Sequence, residues 1–253
     1  MILGDKYGAC KLCLSNAAPL CESHIVPEFC YEYEHSGSRR HALAINLPQG
    51  SQSRKPVIQK VQKGHREYLL CECCEQRLNQ HERVFASYWR SRDELVGPFE
   101  VGQHIILHDA DYHSIKLFIL SVFWRASLSE VLGKGMRLGP YAERLRKILL
   151  HNQQVRQNQY PVLGTLILDP HGFPVGGYVC SPGCMRADGA RGYHMAFSGC
   201  EWRVVMSDHW VPKALEDMQH CLAENGEIHL VTQNYQQIRS VRQLAQAIPR
   251  GKI

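Results

Sequence analysis

The chain has 253 residues, 44% of them apolar and 21% charged, with a formal net charge of +5. That length sets a prior of one or two domains, the composition is that of an ordered globular chain, and so small a charge excess names no partner by itself. The N-terminus MILGDKYGACKLC has no long apolar core behind a basic start, and the longest apolar run, Leu117 to Trp124, is far shorter than the about 20 residues of a membrane span. The expected location is therefore cytoplasmic with no membrane partner, and there the eleven cysteines read as metal ligands before disulfides.

From the N-terminus, a CxxC pair (Cys10, Cys13) precedes SHIVP, a polar loop and a second CxxC (Cys71, Cys74). The loop from His35 to Arg66 has no Asp or Glu but carries Arg39, Arg40, Arg54, Lys55, Lys60, Lys63 and Arg66. Inside it GSQSRKP reads as flexible turn, and VIQKV alternates as a short strand does. From Cys74 to about Trp89 the pattern is helical, with Leu78, Phe85 and Tyr88 on one stripe. His65 and His81 are expected to face solvent. VGPFEVG (96–102) reads as a hinge, HIILHD as a strand, and Asp111 as the cap of a buried helix through Tyr112 to Leu132. A second helix follows Pro140. The remainder reads as an antiparallel sheet: VLGTLIL and GGYVC around the turn-rich DPHGFP, then GYHMAFS and EWRVVMS as a hairpin. A helix near Lys213 to Glu224, a strand EIHLVTQ and a last helix from Val241 to Ile248 close the chain. The expected organisation is α+β in two units, 1–95 and 96–253, the second containing the antiparallel sheet. Core or turn positions account for Cys180, Cys184 and Cys200, and a strand end and helix cap account for HDADYH (108–113). No motif marks a nucleotide hydrolase or a serine hydrolase.

Each CxxC turn offers two sulfurs on one edge of a tetrahedron, and two turns close it around zinc. The long insertion between the pairs is affordable. Lengthening a closed loop from about 15 to about 58 residues costs roughly 1.2 kcal/mol, against the ~10 kcal/mol a structural zinc supplies. Closing the staple sets SHIVP beside the helix. On that helix Glu75 and Asn79 are one turn apart and Glu82 is near the same line, so they offer oxygen ligands to magnesium or manganese. A neutral imidazole such as His24 opposite that ion is what an attacking water needs as a base.

CKLC, SHIVPEF and LLCECCEQRLNQHE, in that order, resemble the HNH endonucleases of the zinc-stapled His-Me finger type. The resemblance spans about residues 8 to 85. It implies a ββα-metal module at the N-terminus: a hairpin carrying His24 as general base, then a helix carrying Glu75 and Asn79 as ligands. Three positions depart from the pattern. Ser23 stands where an acid or His precedes the base, Arg66 and Glu67 stand where an Asn is usual, and Glu75 replaces a His or Asn. The implied activity is metal-dependent hydrolysis of phosphodiester bonds in DNA, with the basic loop along the backbone and a setting such as defence against foreign DNA. Two alternatives stay open: a non-catalytic zinc-containing nucleic-acid-binding module, and an HNH effector held silent until a partner or signal engages residues 100–253; a protein partner or homo-oligomer is expected.

Overall fold

A computed structural model describes residues 2–3, 6–31, 42–46, 57–61, 64–132, 136–176, 178–187, 189–208 and 222–238. Two helices cross at its centre. Helix α1 (Glu72–Arg90) begins directly after Cys71, with Glu72 and Glu75 in the first turn, where the positive end of the helix dipole favours acids. Its buried residues, Cys74, Leu78, His81, Phe85 and Tyr88, follow the 3.6-residue period and pack on α2 (Tyr112–Leu128). Helix α2 is buried on all sides from Ser114 to Ala126, and Asp111 caps it by accepting from the Ser114 backbone N–H at 3.0 Å. Phe85 and Phe118 stack at 4.3 Å between ring centroids, and Trp89 and Trp202 extend the aromatic cluster.

Helix α2 stops four residues before the expected Leu132. Ser129 ends it by turning its hydroxyl to the Val131 and Leu132 N–H groups and to the Glu67 carboxylate, a tertiary contact that periodicity does not report. Helix α3 (Pro140–Leu150) starts with proline at its first turn, as expected. No helix among the described residues is long and apolar enough to cross a membrane.

Among the described residues, twelve strands form three sheets. The first is β1 (Ile2–Leu3), β5 (Arg66–Cys71) and β2 (Leu20–His24), in that order, with β2 antiparallel to β5 and on the outer edge. The second joins β4 (Val57–Val61), β3 (Ala42–Asn46) and β8 (Tyr178–Cys180). The largest runs β6 (His104–Leu107), β12 (Ile228–Asn234), β7 (Val162–Leu168), β11 (Cys200–Val205), β10 (Ala190–Phe197), β9 (Gly183–Ala187). It is antiparallel except for β12 against β7. The expected hairpin is β10–β11, turned by Ser198 and Gly199, both with positive φ, as a tight two-residue loop requires.

Several expectations need revision. GGYVC does not join VLGTLIL in the main sheet. Its strand β8 lies parallel to β3, Ala44 opposite Val179. VGPFEVG is pinned rather than hinged: Phe99 N–H donates to the Gly172 carbonyl at 2.8 Å and Gly102 N–H to that of Thr232 at 2.9 Å. Strand β9 had no sequence signal, being short, glycine-led and half exposed. The helices expected near 213–224 and 241–248 fall almost wholly outside the described residues.

Gly164 shows how tightly the sheet closes. A Cβ there would stand 2.4 Å from a Leu230 methyl and 3.0 Å from the Trp202 ring. Gly164→Ala is expected to destabilise the protein by about 1–3 kcal/mol through overpacking. A thermal melt indistinguishable from wild type would refute this.

Candidate metal centre

The CxxC loop folds back on itself: Leu14 N–H donates to the Cys10 carbonyl at 2.8 Å and Cys10 N–H to that of Ser15 at 2.9 Å. Lys11 N–H ties the loop to Leu69 of β5, and Arg146 of α3 donates to the Leu12 carbonyl. The second pair spans the β5–α1 junction, Cys71 ending the strand and Cys74 in the first helical turn. The sulfurs of Cys10, Cys13, Cys71 and Cys74 all lie within 4.8 Å of one another, the only such convergence of three or more ligands among the described residues. Cys13 and Cys71 sulfurs stand 3.8 Å apart. Four thiolates at 2.3 Å from a tetrahedral ion have an edge of about 3.8 Å, so the set fits a metal such as zinc. Cys73 is exposed and outside the cluster.

The cysteines carry unequal proton affinities. Burial works against the Cys10 thiolate, yet backbone hydrogen bonds from Cys13, Cys71 and Leu12 outweigh it and bring the thiol to about 7. Burial pushes Cys71 up, and burial with neighbouring thiols pushes Cys74 far up. One thiolate is thus ready, while others give up protons when a cation arrives. Elsewhere Cys180 and Cys200 are fully buried, which pushes Cys180 to about 12, while Cys184 is exposed.

Strand β2 places the residues of SHIVP. Glu22 lies opposite Tyr68, Ser23 opposite Glu67 and His24 opposite Arg66. Side chains of directly paired residues share a sheet face. The outer face therefore holds Glu22, His24, Arg66 and Tyr68, where Arg66 donates to Glu22 at 2.7 Å. The inner face holds Ser23 and Glu67, both buried, and Glu67 accepts from the Ser129 hydroxyl and the Glu130 N–H. Ile25 and Val26 are fully buried but follow the strand as a bend.

The predicted α1 ligands differ in their surroundings. Glu75 lies near enough to Cys21 to raise its thiol pKa, after burial itself, and one Glu75 oxygen is buried without a hydrogen-bond partner. Asn79 is half-buried one turn on. Arg125 of α2 pairs with the Glu82 carboxylate at 2.7 Å. The same guanidinium donates to the His24 carbonyl at 2.7 Å. Ile25 N–H points to β5, at the His65 carbonyl, so the His24 carbonyl faces the free edge of β2, and Arg125 covers that edge. Arg125 is 1% exposed. Sequence reasoning missed it, although a lone Arg inside LFILSVFWRAS was the signal.

Of the predicted basic contacts, Arg39, Arg40, Arg54, Lys55 and Lys63 lie outside the described residues, and Lys60 is on β4. Arg66 is drawn to Glu22. His65 and His81 do not face solvent. They are 2% and 6% exposed, and burial lowers the pKa of both. His81 falls on the inner stripe of α1, with its ring edge-on to His113 at 5.8 Å. No protein-family model, no curated protein and no solved structure matches the chain.

Proposed function

We propose that the chain is a metal-dependent endonuclease of the HNH type, cytoplasmic, with structural zinc in the four-cysteine centre and DNA as substrate. The observation that carries this is the order β2, β5, α1 closed at one end by that centre, with His24 on the paired strands. The buried, unpartnered oxygen of Glu75, with Asn79 one turn on, is the set on this chain suited to magnesium or manganese. Such an ion would stabilise charge on the phosphate and on the leaving oxygen. His24 takes the proton from the attacking water. Arg125 holds the His24 backbone and pairs with Glu82, the third acid or amide of the predicted set.

The register of β2 favours a second reading, a nucleic-acid-binding module without catalysis. Ser23, which stands where the resemblance expects a metal ligand, is buried and faces inward. Plasmid incubation with Mg²⁺ or Mn²⁺ separates the two. Cleavage should fall by about 10²–10⁴ in His24→Ala. Binding without cutting in both proteins would sink the nuclease and leave the binding module.

A further inference from the structure

Strands β6 and β12 form a polar array on one face at the edge of the main sheet, far in sequence from the four-cysteine centre. His229 lies opposite Ile106, and Val231 opposite His104. By strand alternation His104, Ile106, His108, Glu227 and His229 share that face. His104 Nε2 stands 3.2 Å from His229 Nδ1, with the rings stacked at 5.2 Å between centroids. His229 Nε2 is 3.1 Å from one Glu227 oxygen, and His108 Nδ1 is 3.5 Å from the other.

These contacts bear on the tautomer of His229. Glu227 stays ionised, since the Asn225 side chain first and His229 next hold its carboxyl below the usual range. An ionised carboxylate only accepts, so His229 donates from Nε2, and in the neutral ring Nδ1 is then the nitrogen with the lone pair. A carboxylate behind a histidine in this way sets the tautomer and raises the basicity of a metal-binding nitrogen. Facing it, His104 Nε2 either donates a proton or, as the other tautomer, offers a second lone pair. Two nitrogens bound at 2.0–2.1 Å to a tetrahedral ion are about 3.3 Å apart, close to the spacing present. His104 is exposed, so an ion has a path in.

We infer that His104 Nε2 and His229 Nδ1 form a second metal site, for a divalent ion that prefers imidazole, such as nickel, copper or zinc, with water completing its shell. The donors are nitrogen, which selects these ions over magnesium or calcium. Glu227 is a positioning residue, acting through His229. The site is independent of the nuclease reading and of the cysteine centre.

The test uses the full chain, purified with its cysteine centre filled with zinc, and Ni²⁺ as probe in calorimetry, while released zinc is monitored. One equivalent of Ni²⁺ should bind without releasing zinc. His104→Gln/His229→Gln should lose that equivalent, and Glu227→Gln should weaken it about 10–100-fold. Unchanged thermal melts would show the variants folded. Absence of the equivalent in wild type, or its persistence in the double variant, overturns the site. Unchanged affinity in Glu227→Gln overturns the positioning role.

Discussion

Cys71→Ser is expected to unfold the part of the chain that holds β2, β5 and the start of α1. Cys71 ends β5, stands 3.8 Å from the Cys13 sulfur, and its N–H donates to the Cys10 sulfur at 3.3 Å. With zinc bound, the four thiolates contribute on the order of 10 kcal/mol, comparable to the whole 5–15 kcal/mol stability of an ordinary domain. Hydrogen exchange should show protection lost in β2, β5 and the first turns of α1, and zinc per chain should drop well below one. A strong chelator should do the same to wild type. The sign of the pH effect follows from the thiols. Cys71 and Cys74 hold their protons above the ordinary thiol range, and zinc displaces them, so affinity falls as pH falls. A melt insensitive both to chelator and to Cys71→Ser would show that the centre is not structural.

Arg125→Leu should cost about 3–5 kcal/mol, the usual result of stripping one partner from a buried ion pair. It leaves Glu82, 16% exposed, without its cation, and the His24 carbonyl without a donor. Glu82→Gln/Arg125→Leu should recover part of the loss, because no uncompensated charge remains. Denaturant unfolding of wild type, both single variants and the double closes this cycle. Additive effects would show that the pair is uncoupled. Arg125 comes from the second half of the chain, so the cycle also measures how firmly α2 holds the segment around His24.

Much of the secondary structure was legible because it is written in local periodicity. The α1 stripe, the Asp111 cap, the start of α3 at Pro140 and the β10–β11 turn all follow from residues within one or two turns of each other. The cysteine cluster was legible because CxxC spacing is itself geometric. What escaped depends on partners remote in sequence. Ser129 ends α2 because Glu67 is beside it, and Glu82 is occupied because Arg125 reaches across from another helix. His81 is buried because it lies three residues after Leu78 on the α1 stripe, a position that periodicity reports and side-chain polarity does not. The facing of Ser23 and His24 was set by pairing with β5, a register that no local pattern in SHIVP contains.

The parallel pairing of β3 with β8 also sets an order on synthesis. Residues 10–74 hold all four cysteines of the cluster, so it can close around a metal while most of the chain is still unmade. Strand β3, within the basic insertion, must wait for Tyr178–Cys180, its partner on one side. At 5–20 residues per second that delay is on the order of 10 s. During it the edge of β3 that will meet β8 is uncovered, which is the interval in which a chaperone has most to protect.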